Sequence, residues 1–175
     1  MTDNQDQKAG TIFRVGILTL SDRSAAGVRP DISGPNVRDT VEQQLNHAFE
    51  ITVYEVIPDE RALIEQKLVE WSDSLGLSLI LTTGGTGVAP RDVTPDATLA
   101  VIDKQVPGMA EAMRAASLQK TPMAMISRAV AGIRGRTLII NLPGSPKGAR
   151  ENLEAVLPAI PHALDKIAGD PNECA

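Results

Sequence analysis

Residues 82–98 read TTGGTGVAPRDVTPDAT and follow directly on the apolar run LSLIL. Gly84, Gly85 and Gly87 lack the Cβ that disfavours positive φ, and they let backbone amides approach a ligand closely. Successive amides in such a turn form an anion-binding nest, to which the Thr83 and Thr86 hydroxyls add donors. The obvious guest is a phosphate group. The turn is not a Walker loop, because no Gly-Lys-Ser/Thr follows at the required spacing, and Gly85-Thr86-Gly87 lacks the third glycine of a dinucleotide fingerprint. Local pattern leaves one alternative open, a tight strand-to-helix turn whose glycines serve geometry alone.

Two carboxylates sharpen the reading. Asp59, in IPDE, and Asp92, in PRDV, each stand just beyond an expected strand. Beside a phosphate nest they would repel a bare nucleotide. A Mg²⁺ ion between carboxylates and phosphates reverses the sign, since magnesium takes one or two carboxylates plus substrate oxygens. Asp59 and Asp92 are therefore the candidate catalytic acids and the candidate Mg²⁺ ligands. The structural alternatives are an N-cap for Asp59, and an Arg91 salt bridge or a turn hydrogen bond for Asp92. Asp96 reads as structural, an acid in the first turn of a helix. Asp22, in the loop SDR, is a weaker candidate for the same cleft.

Elements must exist that bring these loops together. Residues 12–20, IFRVGILTL, form a nearly continuous apolar run, as expected of a central strand; 51–58 and 77–82 are the next strands. The intervening SDRSAAGVRPDIS is too polar and too rich in Gly and Pro to be regular structure. Ser33 is expected to cap a helix carrying Val37, Val41 and Leu45 on one face, and Asp59 to open a helix with Leu63, Leu68 and Trp71. Thr94 and Pro95 suit the cap and first position of a helix to about Asp103. Further helices are expected over 109–119, over 147–157 and up to about Gly169, and the apolar runs flanking Arg134-Gly135-Arg136 predict a β-hairpin. The alternation of strand and helix implies an α/β fold, three-layer α/β/α with a mostly parallel sheet plus the hairpin. Ligands of such sheets bind beyond the carboxyl ends of the strands, which is where the polar, glycine-rich loops converge.

At 175 residues the chain suits one domain, expected over 12–169 between short tails at 1–11 and 170–175. A net charge of −5 and four aromatic residues argue against a nucleic-acid-binding face or a base-stacking platform. No apolar run approaches the roughly 20 residues of a membrane span. Cys174 has no partner for an internal disulfide, and His47 and His162 offer no metal-ligand spacing with it. A cytoplasmic location is expected.

TTGGTG, PRDVTPDAT, IPDE, SRAVAGIRG and TLIINLPGSPKG together resemble the molybdopterin adenylyltransferases of molybdenum-cofactor biosynthesis, and the amino-terminal domain of gephyrin, from about Phe13 to Gly169. The RDVTPDAT segment is the most specific part. The resemblance implies the molybdopterin-binding fold and a reaction in which molybdopterin and MgATP give adenylyl-molybdopterin and pyrophosphate. It places the family's two critical acids at Asp59 and Asp92. Thr83, Gly84, Gly85, Thr86 and Gly87 fall in its nucleotide- and phosphate-binding loop, and Ser127, Asn141, Pro143 and Gly144 at positions that serve the pterin substrate. Lys147, which follows the NLPG turn, is placed to meet an anionic group. Plain readings stand beside these: a turn or cap hydroxyl for Ser127, a turn hydrogen bond for Asn141 and a solvated first-turn lysine for Lys147.

The resemblance further implies a homotrimer and a transient partner that inserts molybdate. Met109, Met113 and Met123 are core residues by default, or in part intersubunit. Two other functions fit the same motifs, a nucleotide pyrophosphate hydrolase and a non-catalytic molybdopterin-binding scaffold.

Overall fold

Runs of β-branched and aliphatic residues build the strands, and the polar punctuation between them sets where helices start. The computed structural model of the chain describes residues 12–45 and 48–171. The readings made for 1–11, His47 and Cys174 lie outside the described residues. In chain order the elements are β1 (Phe13–Leu20), α1 (Asp22–Ala25), α2 (Ser33–Gln44), β2 (Phe49–Ile57), α3 (Arg61–Val69), β3 (Leu79–Thr83), α4 (Thr94–Val101), β4 (Lys104–Gln105), α5 (Pro107–Leu118), β5 (Ala131–Arg134), β6 (Thr137–Leu142), α6 (Pro146–Val156) and α7 (Ile160–Ala168). Among the described residues, no helix is long and apolar enough to cross a membrane.

One six-stranded sheet runs in the order β2-β1-β3-β6-β5-β4. The first four strands are parallel, and β5 runs antiparallel to both β6 and β4. The expected hairpin is the β5–β6 pair, turning at Gly135 with φ +54°. The two-residue edge strand β4 was not legible; it takes the span between the end of α4 and Pro107.

Period-2 alternation in β1 splits the core. Phe13, Val15 and Ile17 face one cluster with Val37 and Val41 of α2, Met109 and Met113 of α5, and Leu153 of α6. Leu18 and Leu20 face the other, with Ile64 and Leu68 of α3 and Val101 of α4. Each fully buried aliphatic side chain contributes about 1.5–3 kcal/mol. A π-helical turn over Glu70–Ser74 seats Trp71, wholly buried, where Gly16 leaves room; a Cβ on Gly16 would stand 2.8 Å from the indole. Met109 and Met113 are thus core residues, whereas Met123 and Met125, in a 3₁₀ turn over Pro122–Ile126, are 64% and 70% exposed.

Three expected caps are corrected, each because a tertiary partner displaces the local one. Ser33 does not cap α2. The Asp31 carboxylate accepts from the amides of Ser33 and Gly34 (2.9 and 3.2 Å), and the Ser33 hydroxyl donates instead to the Gly144 carbonyl at 2.7 Å. Thr94 likewise sends its hydroxyl to the Gly84 carbonyl at 2.9 Å, and α4 has no side-chain cap. Asp59 does not open α3, which starts at Arg61. The loop expected to be irregular after β1 contains the single-turn helix α1, capped by Ser21, whose Oγ accepts from the Ser24 amide at 3.2 Å.

Candidate functional site

β3 ends at Thr83, and the chain reverses through Gly84 at φ +114° and Gly85 at φ +60°. A Cβ on Gly84 would lie 2.1 Å from the Leu20 carbonyl oxygen, and one on Gly85 would lie 2.4 Å from Thr94 Oγ1. Glycine is required here on both counts, conformation and space. The turn's carbonyls are all engaged. Gly84 O accepts from Thr94 Oγ1, Gly85 O from the Thr94 amide at 3.2 Å, Thr86 O from the Arg128 amide and Gly87 O from Arg128 Nε, both at 2.8 Å. The amides of Gly85, Thr86 and Gly87 form no hydrogen bond with the described residues. Three consecutive donors, partly withdrawn from solvent, are thus left unsatisfied by the described residues.

Two cavities of about 280 Å³ each flank this turn. Gly84 and Gly85 line the first, together with Thr83, Asp22, Asp59 and Asp92. Thr86 and Gly87 line the second, with Ser127 and the polar side chains of Lys120 and Asn152. Pro143 lies on the second and Gly144 on the first, so the two loops leaving β3 and β6 form a shared wall.

The loops after β1 and β2 are locked to each other. Asp22 N donates to Asp59 Oδ2 at 2.9 Å, and Asp59 N donates back to Asp22 Oδ1 at 3.0 Å. Arg91 does not pair with Asp92; it grips Asp22 through Nε and Nη2 (3.0 and 2.7 Å) and reaches Glu60 at 2.9 Å. The bidentate guanidinium holds the Asp22 carboxyl below the ordinary carboxylate range, against a smaller opposing effect of burial. Asp59 moves the other way. Burial raises its pKa first; the Asp22 amide opposes this, and the negative charges of Asp22 and Asp92 add to the rise. Asp92 makes the turn hydrogen bond, its Oδ2 accepting from the Ala89 amide at 2.7 Å.

Both acids abut the glycine turn. Asp59 Oδ1 lies 3.0 Å from the position of a Cβ on Gly85, and Asp92 Oδ2 lies 2.8 Å from that of a Cβ on Gly87. Oδ1 of each accepts no hydrogen bond from the described residues. No group of three or more His, Cys, Asp or Glu among the described residues converges on a metal position. A divalent ion here would therefore complete its shell with substrate phosphates and water, the habit of Mg²⁺, and the pair fits that role.

Asn141 is set apart from the other expected site residues. It is fully buried in β6, its Nδ2 donating to Thr82 Oγ1 and Thr98 Oγ1 (3.0 and 2.9 Å) and its Oδ1 accepting from the Val130 amide, and it lines neither cavity. It braces β3, β6 and α4 beneath the turn. Lys147 is exposed in the first turn of α6 and also lines neither cavity.

Arg128 was missed. Beyond its two bonds to the turn carbonyls, it donates through Nη2 to the Asp92 carbonyl and takes the Asp96 carboxylate in a two-pronged pair at 3.1 and 2.8 Å. It thus fixes both ends of the segment carrying Asp92. The partners lie 32 to 42 residues away, so no spacing signal marks it. Asp96, held below the usual carboxylate range chiefly by Arg128, belongs to this clamp.

Residues 16–162 match the family described as "Probable molybdopterin binding domain". The chain is 48% identical over 158 residues to the molybdopterin adenylyltransferase of Helicobacter pylori J99, covering 90% of this chain and 89% of that one. It is 49% identical over 144 residues to the molybdopterin adenylyltransferase of Escherichia coli K12, covering 82% and 73%. Among solved structures, the molybdopterin biosynthesis enzyme MoaB of Thermus thermophilus superposes with a TM-score of 0.84 at 56% identity, over 93% of this chain and 100% of that one.

Proposed function

The chain belongs to the molybdopterin-binding domain family, and on that premise we propose that it is a molybdopterin adenylyltransferase, moving AMP from MgATP to the terminal phosphate of molybdopterin. One observation carries the reading at the level of this molecule: the three unbonded amides of Gly85, Thr86 and Gly87 lie in the wall between two cavities, one acidic and one not. A group-transfer site needs such a wall, where donor and acceptor meet at one phosphorus.

In this scheme the polyphosphate lies in the cavity of Asp59 and Asp92, its α-phosphate against the free amides. The pterin lies in the second cavity, where Met123, Ala124 and Ile126 offer apolar surface, and Lys120, Ser127 and Asn152 offer polar atoms. A terminal phosphate oxygen of molybdopterin attacks Pα. The new P–O bond forms as the bond from Pα to the bridging oxygen of pyrophosphate breaks. The nucleophile is already anionic, so no side chain need take a proton. What this chain supplies is alignment and fixed donors for the charge on the transferred group. Magnesium, when bound by Asp59 and Asp92, offsets the negative charge of the polyphosphate. Asn141 and Arg128 hold the turn that aims the amides.

The use of ATP supports a cytoplasmic location. Self-association as a homotrimer belongs to the same proposal, supported by the exposed Met125 and Ile126, as does a transient molybdate-inserting partner. Incubation with molybdopterin, ATP and Mg²⁺ tests the function. Adenylyl-molybdopterin with one equivalent of pyrophosphate is expected; AMP without adenylylated pterin, or bound pterin without turnover, contradicts it.

A further inference from the structure

The acidic cavity contains more cationic side chain than its own ion pairs use. Seven charged residues line it, Asp22, Arg23, Arg29, Asp31, Asp59, Arg91 and Asp92. Arg91 is committed to Asp22 and Glu60. Asp31 is saturated by the hydroxyls of Thr19 and Tyr54 and by the amides of Ser33 and Gly34. That leaves Asp59 and Asp92 in one cavity with two exposed arginines, Arg23 and Arg29, neither of which forms a side-chain hydrogen bond or ion pair with the described residues.

The two arginines are brought together by backbone. The loop after β1 folds back so that the amides of Val28 and Arg29 both donate to the Arg23 carbonyl, at 2.9 and 3.2 Å, with Gly27 at φ +70° making the reversal. Arg23 and Arg29 are thus neighbours at one rim of the cavity although six positions apart in sequence.

Their side of the cavity has chemical meaning. Along the sheet the order is β1, β3, β6. The second cavity lies between the β3 and β6 loops on one side and α5, α6 and residues 120–127 on the other, the free amides are in the β3 loop, and the arginine pair is in the β1 loop. Phosphoryl and nucleotidyl transfers proceed with entering and leaving oxygens roughly in line. An acceptor that enters over β6 therefore expels its leaving group toward β1. We infer that Arg23 and Arg29 form a subsite for the β- and γ-phosphates of the nucleotide, which holds the pyrophosphate opposite the attacking phosphate and selects triphosphate over shorter nucleotides. The inference rests on the adenylyl-transfer reading of the cavity.

Calorimetric titration of the full chain with MgATP, magnesium pyrophosphate and AMP tests it, on wild type, Arg23→Gln, Arg29→Gln and the double variant. A charge-assisted hydrogen bond from arginine to phosphate corresponds to roughly tenfold in affinity. MgATP and pyrophosphate are expected to weaken about tenfold in each single variant and about a hundredfold in the double, with AMP affinity within about twofold of wild type. Unchanged melting temperatures, expected because neither side chain bonds to the fold, separate loss of ligand from loss of structure. MgATP affinity that survives the double substitution overturns the subsite while leaving the adenylyl-transfer reading intact, and equal weakening of AMP and MgATP also overturns it. Arginine-dependent pyrophosphate binding in a protein that binds no adenine nucleotide would keep the subsite and sink the transferase reading.

Discussion

Replacing Arg128 with alanine removes a set of contacts whose worth can be worked out separately for stability and for catalysis. The pair with Asp96 joins side chains 40% and 39% exposed, so solvent screening limits it to at most about 1 kcal/mol. The bonds to the Gly87 and Asp92 carbonyls add about 0.5 kcal/mol each at such exposure. A total near 2 kcal/mol lowers the melting temperature by about 4–8 °C in a chain of this size. The catalytic cost is larger than that stability suggests. Asp92 then hangs on a turn anchored at one end, and a misplacement of about 1 Å is worth roughly a hundredfold in rate.

The Asp96 contribution has a defined pH sign. Its folded carboxyl titrates below 3.8, so the stabilisation is present above that value and is lost as pH falls through the depressed one. Thermal melts from pH 3 to 8 and steady-state formation of adenylyl-molybdopterin provide the assay. Arg128→Lys keeps the charge but not the planar fork and should recover less than half of either loss. An Arg128→Ala protein that melts lower as calculated yet keeps kcat/KM within about threefold of wild type would refute the claim that this clamp sets the geometry of the turn.

Asp59→Asn should lower turnover by roughly 10²–10³-fold. The asparagine Oδ1 still accepts from the Asp22 amide, and because folding raises the Asp59 pKa, ionisation there opposes stability; the variant should melt at or above wild type near pH 7, with the gap closing toward pH 4. Melting below wild type near pH 7 would contradict that sign. Gly84→Ala puts a Cβ 2.1 Å from a backbone oxygen at φ +114°, and should cost about 3 kcal/mol or more; chemical denaturation showing less than about 1 kcal/mol would be inconsistent with the turn as described. Tyr54, the single tyrosine, has its hydroxyl pushed up to about 12 by burial and by Asp31, so tyrosinate absorbance should appear near pH 12. The associated stability is present below pH 10 and is lost as pH rises through 12, and a folded-state midpoint near 10 would contradict it.

What was legible in the sequence was whatever short-range periodicity or stereochemistry dictates. The apolar run of β1, the spacing of Val37 and Val41 and the hairpin at Gly135 are of that kind, as is the demand for glycine at Gly84 and Gly85. The parallel topology then placed the loops after β1, β2, β3 and β6 on one sheet edge. What failed depended on partners far along the chain. Ser33 and Thr94 have the right types for caps, but their hydroxyls are drawn to carbonyls 111 and 10 residues away. Asn141 has the composition of a turn residue, yet β6 carries it into the core, where Thr82 and Thr98 satisfy it. Arg128 and the Arg23–Arg29 pair are exposed arginines by type, and only folding reveals what surrounds them.

In the proposed reaction the amides of Gly85, Thr86 and Gly87, with Asp59 and Asp92, receive a triphosphate at the edge of a second cavity. The most direct measurement is a crystal structure with Mg²⁺ and an ATP analogue whose α,β-bridge cannot be cleaved. The α-phosphate is expected within hydrogen-bond reach of those three amides, and the metal on Asp59 Oδ1 and Asp92 Oδ1. Phosphates bound elsewhere, with Asp59 still bonded only to the Asp22 amide and Asp92 only to Ala89, would contradict it.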